Sequence, residues 1–298
     1  MEKVALHRQL AMFARARQAP ALPVDNALDA LDADHAMRSL ELAMVEDERA
    51  AVADRAADVP HDSGSFVHWF EHLRDVAPVR RDPLYPWLAT DATLEQMTWF
   101  LRQELAIEPG FDDLVAMVQV GFPERAKLEL ARNYWDEMGH GHARAMHGAM
   151  LARLARDLDI DLAMPVAWEA LAVSNLMSAL AANRRYAYHA IGALGVVELM
   201  SPIRAAMIDA GLTRLGVDPH ARQYYALHAT IDEEHAATWC SEIIAPLVDG
   251  RPEIAVAIAE GALMRLGAAT RCLVRYRKAL DVPTEPELVG AVVARHAA

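Results

Sequence analysis

The run Leu227–His235, LHATIDEEH, restricts this chain more than any other stretch. His228, Asp232 and His235 are four and then three residues apart. At about 100° per residue that spacing puts all three on one face of an α-helix. The rest of the chain supports a helical reading. Hydrophobic residues make up 54%, led by Ala, Leu, Val and Met, and aromatics only 6%. Ala and Leu are strong helix formers, whereas sheets favour β-branched and aromatic residues. No alternating strand pattern is evident, so the expected class is all-α.

Helix punctuation divides the chain. Residues 1–20 read as a helix ending near Pro20 and Pro23, and 33–57 as a second, closed by the Pro60–Gly64 segment. Residues 65–90, with Pro78, Pro83 and Pro86, read as a connection holding a short helix at Phe66–Arg74. Thr93 and Gln96 make a capping-box pattern that opens a helix through about Ile107, stopped by Pro109-Gly110. Pro123 opens a long helix to about Leu158, and Pro165 another to about Arg185. Residues 189–211 follow, ended by Gly211; Asp218-Pro219 opens a helix to about Val248 and Arg251-Pro252 the last. The organisation expected is a helical N-terminal extension over 1–75 on a bundle over 76–298, forming one compact unit. The chain of 298 residues is long enough to bury a substantial core.

Three further segments carry ligand-type residues: Glu104 in FLRQELAIE, Glu137 and His140 in NYWDEMGHGHARAMH, and Glu198 in GVVELMSP. Glu137 and His140 are three apart and share a helix face. Glu104 and Glu198 lie in otherwise apolar stretches, where a lone carboxylate is costly unless paired or bound to a cation. Each segment alone also has an ordinary explanation. Asp232-Glu233-Glu234 could form a solvated acidic face, and Glu104 could pair with Arg102 or Lys127. In order, the set reads Glu, Glu-x-x-His, Glu, Asp-x-x-His, which is the ligand pattern of dimetal carboxylate bundles. Four carboxylates offset two divalent ions, and a carboxylate–imidazole set favours iron over zinc. Arg144 and His147 share the Glu137 face; Arg144 is a candidate clamp for a substrate carboxylate, or equally a partner of Glu137. Asn133, one turn before Glu137, is a candidate supporting donor.

The net charge of −13 argues against nucleic acid and anionic membrane surfaces. Two cysteines, Cys240 and Cys272, give no disulfide framework and fit a reducing cytoplasm. The start Met1-Glu2-Lys3-Val4 lacks a signal-peptide pattern, and the apolar run Ala190–Val197 stops at Glu198. A cytoplasmic protein without membrane segments is expected.

With these residues the chain resembles the haem-oxygenase-like diiron oxidases and oxygenases, most specifically in His228-x-x-x-Asp232-x-x-His235, over roughly residues 90–245. The resemblance implies a haem-oxygenase-like bundle holding two Fe(II) ions, or a manganese–iron pair, with O2 as co-substrate. It implies one iron on Glu104, Glu137, His140 and Asp232, and another on Glu198, His228, His235 and a bridging carboxylate. It further implies oxidation of a small carboxylate or amino acid by desaturation, C–C cleavage or hydroxylation, in natural-product biosynthesis. An external electron donor and a homodimer fit the same picture. In such proteins the third ligand-bearing segment, here around Glu198, is often poorly ordered without metal. Leu130, seven residues before Glu137, departs from the extra carboxylate of the N-oxygenase type, although Glu129 is adjacent. A ferritin-like diiron N-oxygenase and a non-catalytic iron-binding protein are the alternatives.

Overall fold

A computed structural model describes residues 2–23, 27–107 and 110–283; the expected stop at Pro109 and the C-terminal end of the bundle lie outside these. The described residues form helices and no strand. The N-terminal part holds α1 (Lys3–Gln18), α2 (Ala27–Ala50), α3 (Ala53–Ala57) and α4 (Ser63–Val76). Then come α5 (Leu84–Thr90), α6 (Leu94–Glu104), α7 (Phe111–Val118), α8 (Glu124–Glu137) and α9 (His147–Asp157). The remainder is α10 (Trp168–Ala182), α11 (Ala187–Arg214), α12 (Gln223–Thr238), α13 (Ala245–Gly250) and α14 (Ala255–Leu280). A π-helical turn, Trp239–Ile244, joins α12 to α13.

Helix α11 is the axis of the fold. It packs along α12 on one side and α14 on another, with α5 against its C-terminal half. Its closest crossing, with α14, is built on two glycines. A Cβ on Gly192 would lie 1.8 Å from the Ile258 carbonyl oxygen, and one on Gly261 would lie 1.9 Å from that of His189. Any side chain there would separate the two backbones. By length and composition, the helix over Arg184–Arg214 is apolar enough to cross a membrane, a property the short run Ala190–Val197 does not suggest. In this fold 67% of its apolar window is buried against its neighbours. The N-terminal helices are packed on the bundle: α1 and α2 lie on α10, and Leu10, Val45, Phe66 and Phe70 belong to the same core as Ile191 and Leu263.

Several boundaries differ from the sequence expectation. The capping box at Thr93 forms: Thr93 Oγ1 accepts from the Gln96 N–H at 3.2 Å, and Gln96 Oε1 from the Thr93 N–H at 2.9 Å. The helix expected to end at Gly211 continues to Arg214, because Gly211 is buried against the Leu88 carbonyl rather than capping. The long helix expected from Pro123 to Leu158 is broken. Gly139, His140 and Gly141 all adopt positive φ, of 58°, 52° and 80°. Three left-handed residues in a row cannot continue a right-handed helix. At Gly139 a Cβ would sit 2.3 Å from the Ala145 carbonyl carbon, so the chain folds tightly back before α9 begins at His147.

Candidate metal centre

Four helix segments converge between α8, α9, α11 and α12. The end of α8 supplies Glu137, the start of α9 supplies His147, the middle of α11 supplies Glu198, and α12 supplies His228, Asp232 and His235. All six are buried, Asp232 to 1% and Glu198 to 3% exposure. Their donor atoms form two groups, Glu137–His147–His228 and Glu198–Asp232–His235; within each, the atoms lie within 4.8 Å of one another.

In the first group His147 Nδ1 is 2.7 Å from Glu137 Oε2, yet it has no aligned hydrogen bond. The His147 and His228 rings are 4.5 Å apart. His228 Nδ1 lies 2.7 Å from the Tyr224 carbonyl and can only donate to it, which leaves the Nε2 lone pair as its ligand atom. The Tyr224 ring also packs against this ring, tilted by 36° with centroids 3.9 Å apart. In the second group His235 Nδ1 is 3.4 Å from Asp232 Oδ1 and 3.5 Å from Glu198 Oε2. Its Nε2 donates to Asp136 at 3.1 Å, so the Asp136 carboxylate orients the ring and keeps Nδ1 toward the carboxylates. Asn133 donates to Glu198 Oε1 at 2.8 Å, and Ser201 hydrogen-bonds Asp232.

The protonation pattern of the metal-free cluster follows from burying three carboxylates together. Burial pushes Glu137 up to about 8, and the Asp232 charge adds to the rise. Glu198 moves up for the same two reasons. Asp232 moves the other way: burial opposes its charge, but the close contact with His235, the charge of His228 and the Ser201 hydroxyl outweigh that cost. Burial also penalises charge on His235, but its contacts with Asp232 and Glu198 overcome this and lift it to about 11. Protons therefore stand where cations of higher charge could stand.

The residues fit metal. Asp232 Oδ1, His235 Nδ1 and His147 Nδ1 are buried without a hydrogen-bond partner. Buried polar atoms are seldom left so, and these face one another in two carboxylate–imidazole sets. No lysine or arginine is among the six residues that would neutralise them.

Two residues of the expected ligand set lie elsewhere. His140 does not face Glu137, because the left-handed turn lifts it out of the helix. Its side chain is 63% exposed and its Nε2 lies 3.2 Å from Asp136 Oδ1. His147, seven residues on, takes the place beside Glu137. Glu104 is buried, but it pairs with Arg204 at 2.5 Å and belongs to neither group. Arg144, the candidate clamp, is exposed in the turn and does not share a helix face with Glu137. Glu129 pairs with Arg132 at 2.6 Å. Asp136, absent from the sequence-derived candidates, joins His140 to His235. Its neighbour Glu137 concealed it, since adjacent helical residues point in directions about 100° apart.

Comparison with known proteins shows the family and the fold. Residues 98–270 match the family described as iron-containing redox enzymes. No curated protein matches the chain. Among solved structures, a CADD-like protein of unknown function from Nostoc punctiforme has 15% sequence identity and a TM-score of 0.60. The alignment covers 74% of this chain and 99% of that one, a likeness that shows the shared fold. The expected all-α, haem-oxygenase-like bundle is thus the fold found.

Proposed function

The chain belongs to the family of iron-containing redox enzymes, and from that premise we propose that it is a diiron oxidase that activates O2 to oxidise a small carboxylate or amino acid. One observation carries the reading: two adjoining buried groups, each offering carboxylate and imidazole atoms, three of them without a hydrogen-bond partner. In this reading Glu137, His147 and His228 hold one ion and Glu198, Asp232 and His235 the other. A pair of ferrous ions, when bound, supplies electrons for the reduction of O2.

The chain's own residues prepare that chemistry. Tyr224 fixes the tautomer of His228 through its carbonyl, and Asp136 that of His235. Asn133 holds one oxygen of Glu198 and leaves the other, Oε2, toward His235. Glu137, raised to about 8, gives up its proton as a cation enters. The apolar flanks of α11, including Leu194 and Leu199, exclude bulk water from the cluster. A substrate carboxylate and an external electron donor complete the proposal.

Anaerobic addition of Fe(II), followed by Mössbauer spectroscopy and stopped-flow mixing with O2, tests it. Two irons per chain and O2-dependent oxidation of the bound ferrous pair are expected. One iron per chain, or a ferrous pair inert to O2, rejects it.

A further inference from the structure

Among the described residues nothing covers the N-terminal end of α2. Residues 27–33 are all exposed, Leu28 to 78% and Leu31 to 61%. The α2 residues that turn to the core come later in the helix and include Met37, Met44 and Val45. At about 100° per residue, Leu28 points opposite Met37 and Met44, away from the bundle. Leu31 and Asp32 flank it, Asp29 stands on the next side, and no lysine or arginine occurs from 27 to 37. Asp34 is already paired with Arg38 at 2.5 Å, so the charge on offer is that of Asp29 and Asp32. Asp29 suits a helix N-terminus on its own account. Two neighbouring leucines in water have no such reason, and an apolar patch rimmed by polar residues marks a contact surface.

A groove of the opposite charge lies between α1, the end of α6 and the residues that lead into α10. Its volume is about 490 Å³. Arg8, Met12 and Arg15 come from one face of α1, Arg102 from α6, and Leu162 and Met164 from the connection between α9 and α10. Among its described residues there are three guanidinium groups and no carboxylate, in a chain whose net charge is −13. Arg102 Nε is buried without a hydrogen-bond partner. Met12, Leu162 and Met164 are 71%, 62% and 49% exposed, so the groove offers apolar surface beside its positive charge.

The helix end and the groove match in both properties, leucines against methionines and a leucine, aspartates against arginines. The helix end is open, so it does not occupy the groove of its own chain. Each copy carries one helix end and one groove, so a two-fold arrangement makes both contacts at once and closes. We propose that the chain forms a two-fold dimer in which the first turns of α2 from each copy occupy the arginine-lined groove of the other. Leu28 and Leu31 enter the groove, and Asp29 and Asp32 meet Arg8, Arg15 and Arg102. No residue of the metal centre takes part, and the contact does not depend on iron.

Sedimentation velocity of the full chain across a dilution series tests this. A dimer that dissociates on dilution and is weakened by salt is expected. Asp29→Arg with Asp32→Arg gives a monomer, and so does Arg8→Glu with Arg15→Glu. All four positions are exposed, so both double variants keep native helicity by circular dichroism. Mixing the two double variants restores a dimer with one copy of each, because the reversed helix end then meets the reversed groove while the native pair is kept. Leu28→Ser with Leu31→Ser weakens association at least about tenfold, since the apolar side chains that fill the groove are lost. A chain that sediments as a monomer at every concentration overturns the proposal, leaving the groove to a different protein or a small organic anion. So does a dimer that survives either charge reversal, or a mixture of the two reversed variants that stays monomeric. None of these results bears on iron stoichiometry or the reaction with O2.

Discussion

Helix α11 carries two charged residues into two buried clusters, and their neutralisation differs. Toward α14, Arg204 meets Glu104 at 2.5 Å, a carboxylate balanced by a cation the chain itself provides. Toward α12, Glu198 meets Asp232 and His235, with Glu137 nearby, and among the described residues the balance is protons on imidazole and carboxyl groups. Burial of a carboxylate is equally costly in both places. The difference lies in whether the compensating charge is covalently part of the chain. A guanidinium completes its site during folding, whereas clustered carboxylates and imidazoles leave a site to be completed by an added ion.

Substitutions can break this contrast. The largest effect is expected in the metal-type cluster: Asp232→Ala and His147→Ala lose bound iron, whereas His140→Ala retains it, measured by metal analysis after anaerobic loading and desalting. Retention of iron by His147→Ala together with its loss from His140→Ala would reverse the ligand assignment. Next, Glu104→Ala breaks the buried Glu104–Arg204 pair and destabilises the fold by about 3–5 kcal/mol, read from urea unfolding. Its iron content stays at the wild-type level; a loss of iron equal to that of Asp232→Ala would place Glu104 in the metal site after all. A smaller effect is expected from Asp136→Asn, which leaves all six donors in place but loosens His235, weakening iron binding about 10–100-fold by competition with a chromophoric chelator.

The smallest effect is a pH slope. Glu137 has an ordinary carboxyl pKa of 4.5 and is raised to about 8 by burial and by the Asp232 charge. Between these values the folded, metal-free chain holds a proton that the unfolded chain has released. Stability of the metal-free protein therefore falls as pH rises from about 4.5 to about 8, and this group adds no further change above that. Iron loading displaces the proton, so apparent iron affinity rises over the same window. Thermal unfolding across a pH series, with and without Fe(II), measures both; a flat or rising metal-free profile contradicts the assignment.

The parts of the site that lie on unbroken helices were legible in the sequence. His228, Asp232 and His235 obey one helical period on α12, and the apolar neighbours of Glu198 mark it as a buried carboxylate. The expectation failed where the period stopped. His140 keeps helical spacing from Glu137 only if the helix continues, and Gly139 and Gly141 end it. Glycines on both sides of His140 are the sequence signal of that break, and His147 is among the residues the sequence places near the Glu137 face. Glu104 shows a different limit. Its apolar surroundings truly mark a buried carboxylate, but its cation stands 100 positions later, and no local pattern links the two. The same holds for the α11–α14 crossing, where Gly192 and Gly261 meet other backbones only in the folded chain.

The break between α8 and α9 also has a consequence for the order of assembly. Glu198, Asp232 and His235 ride on two helices that are packed along their length. Glu137 and His147 stand on opposite sides of a nine-residue connection, Met138 to Met146, so holding them together depends on that connection staying closed, at a loop-closure entropy cost that helices packed along their length do not add. The two halves of the centre are unequal chelators by construction. If the centre holds two irons as proposed, the first equivalent is expected at the α11–α12 half and the second at the half that carries the connection, so that a stepwise titration gives two distinct affinities rather than one.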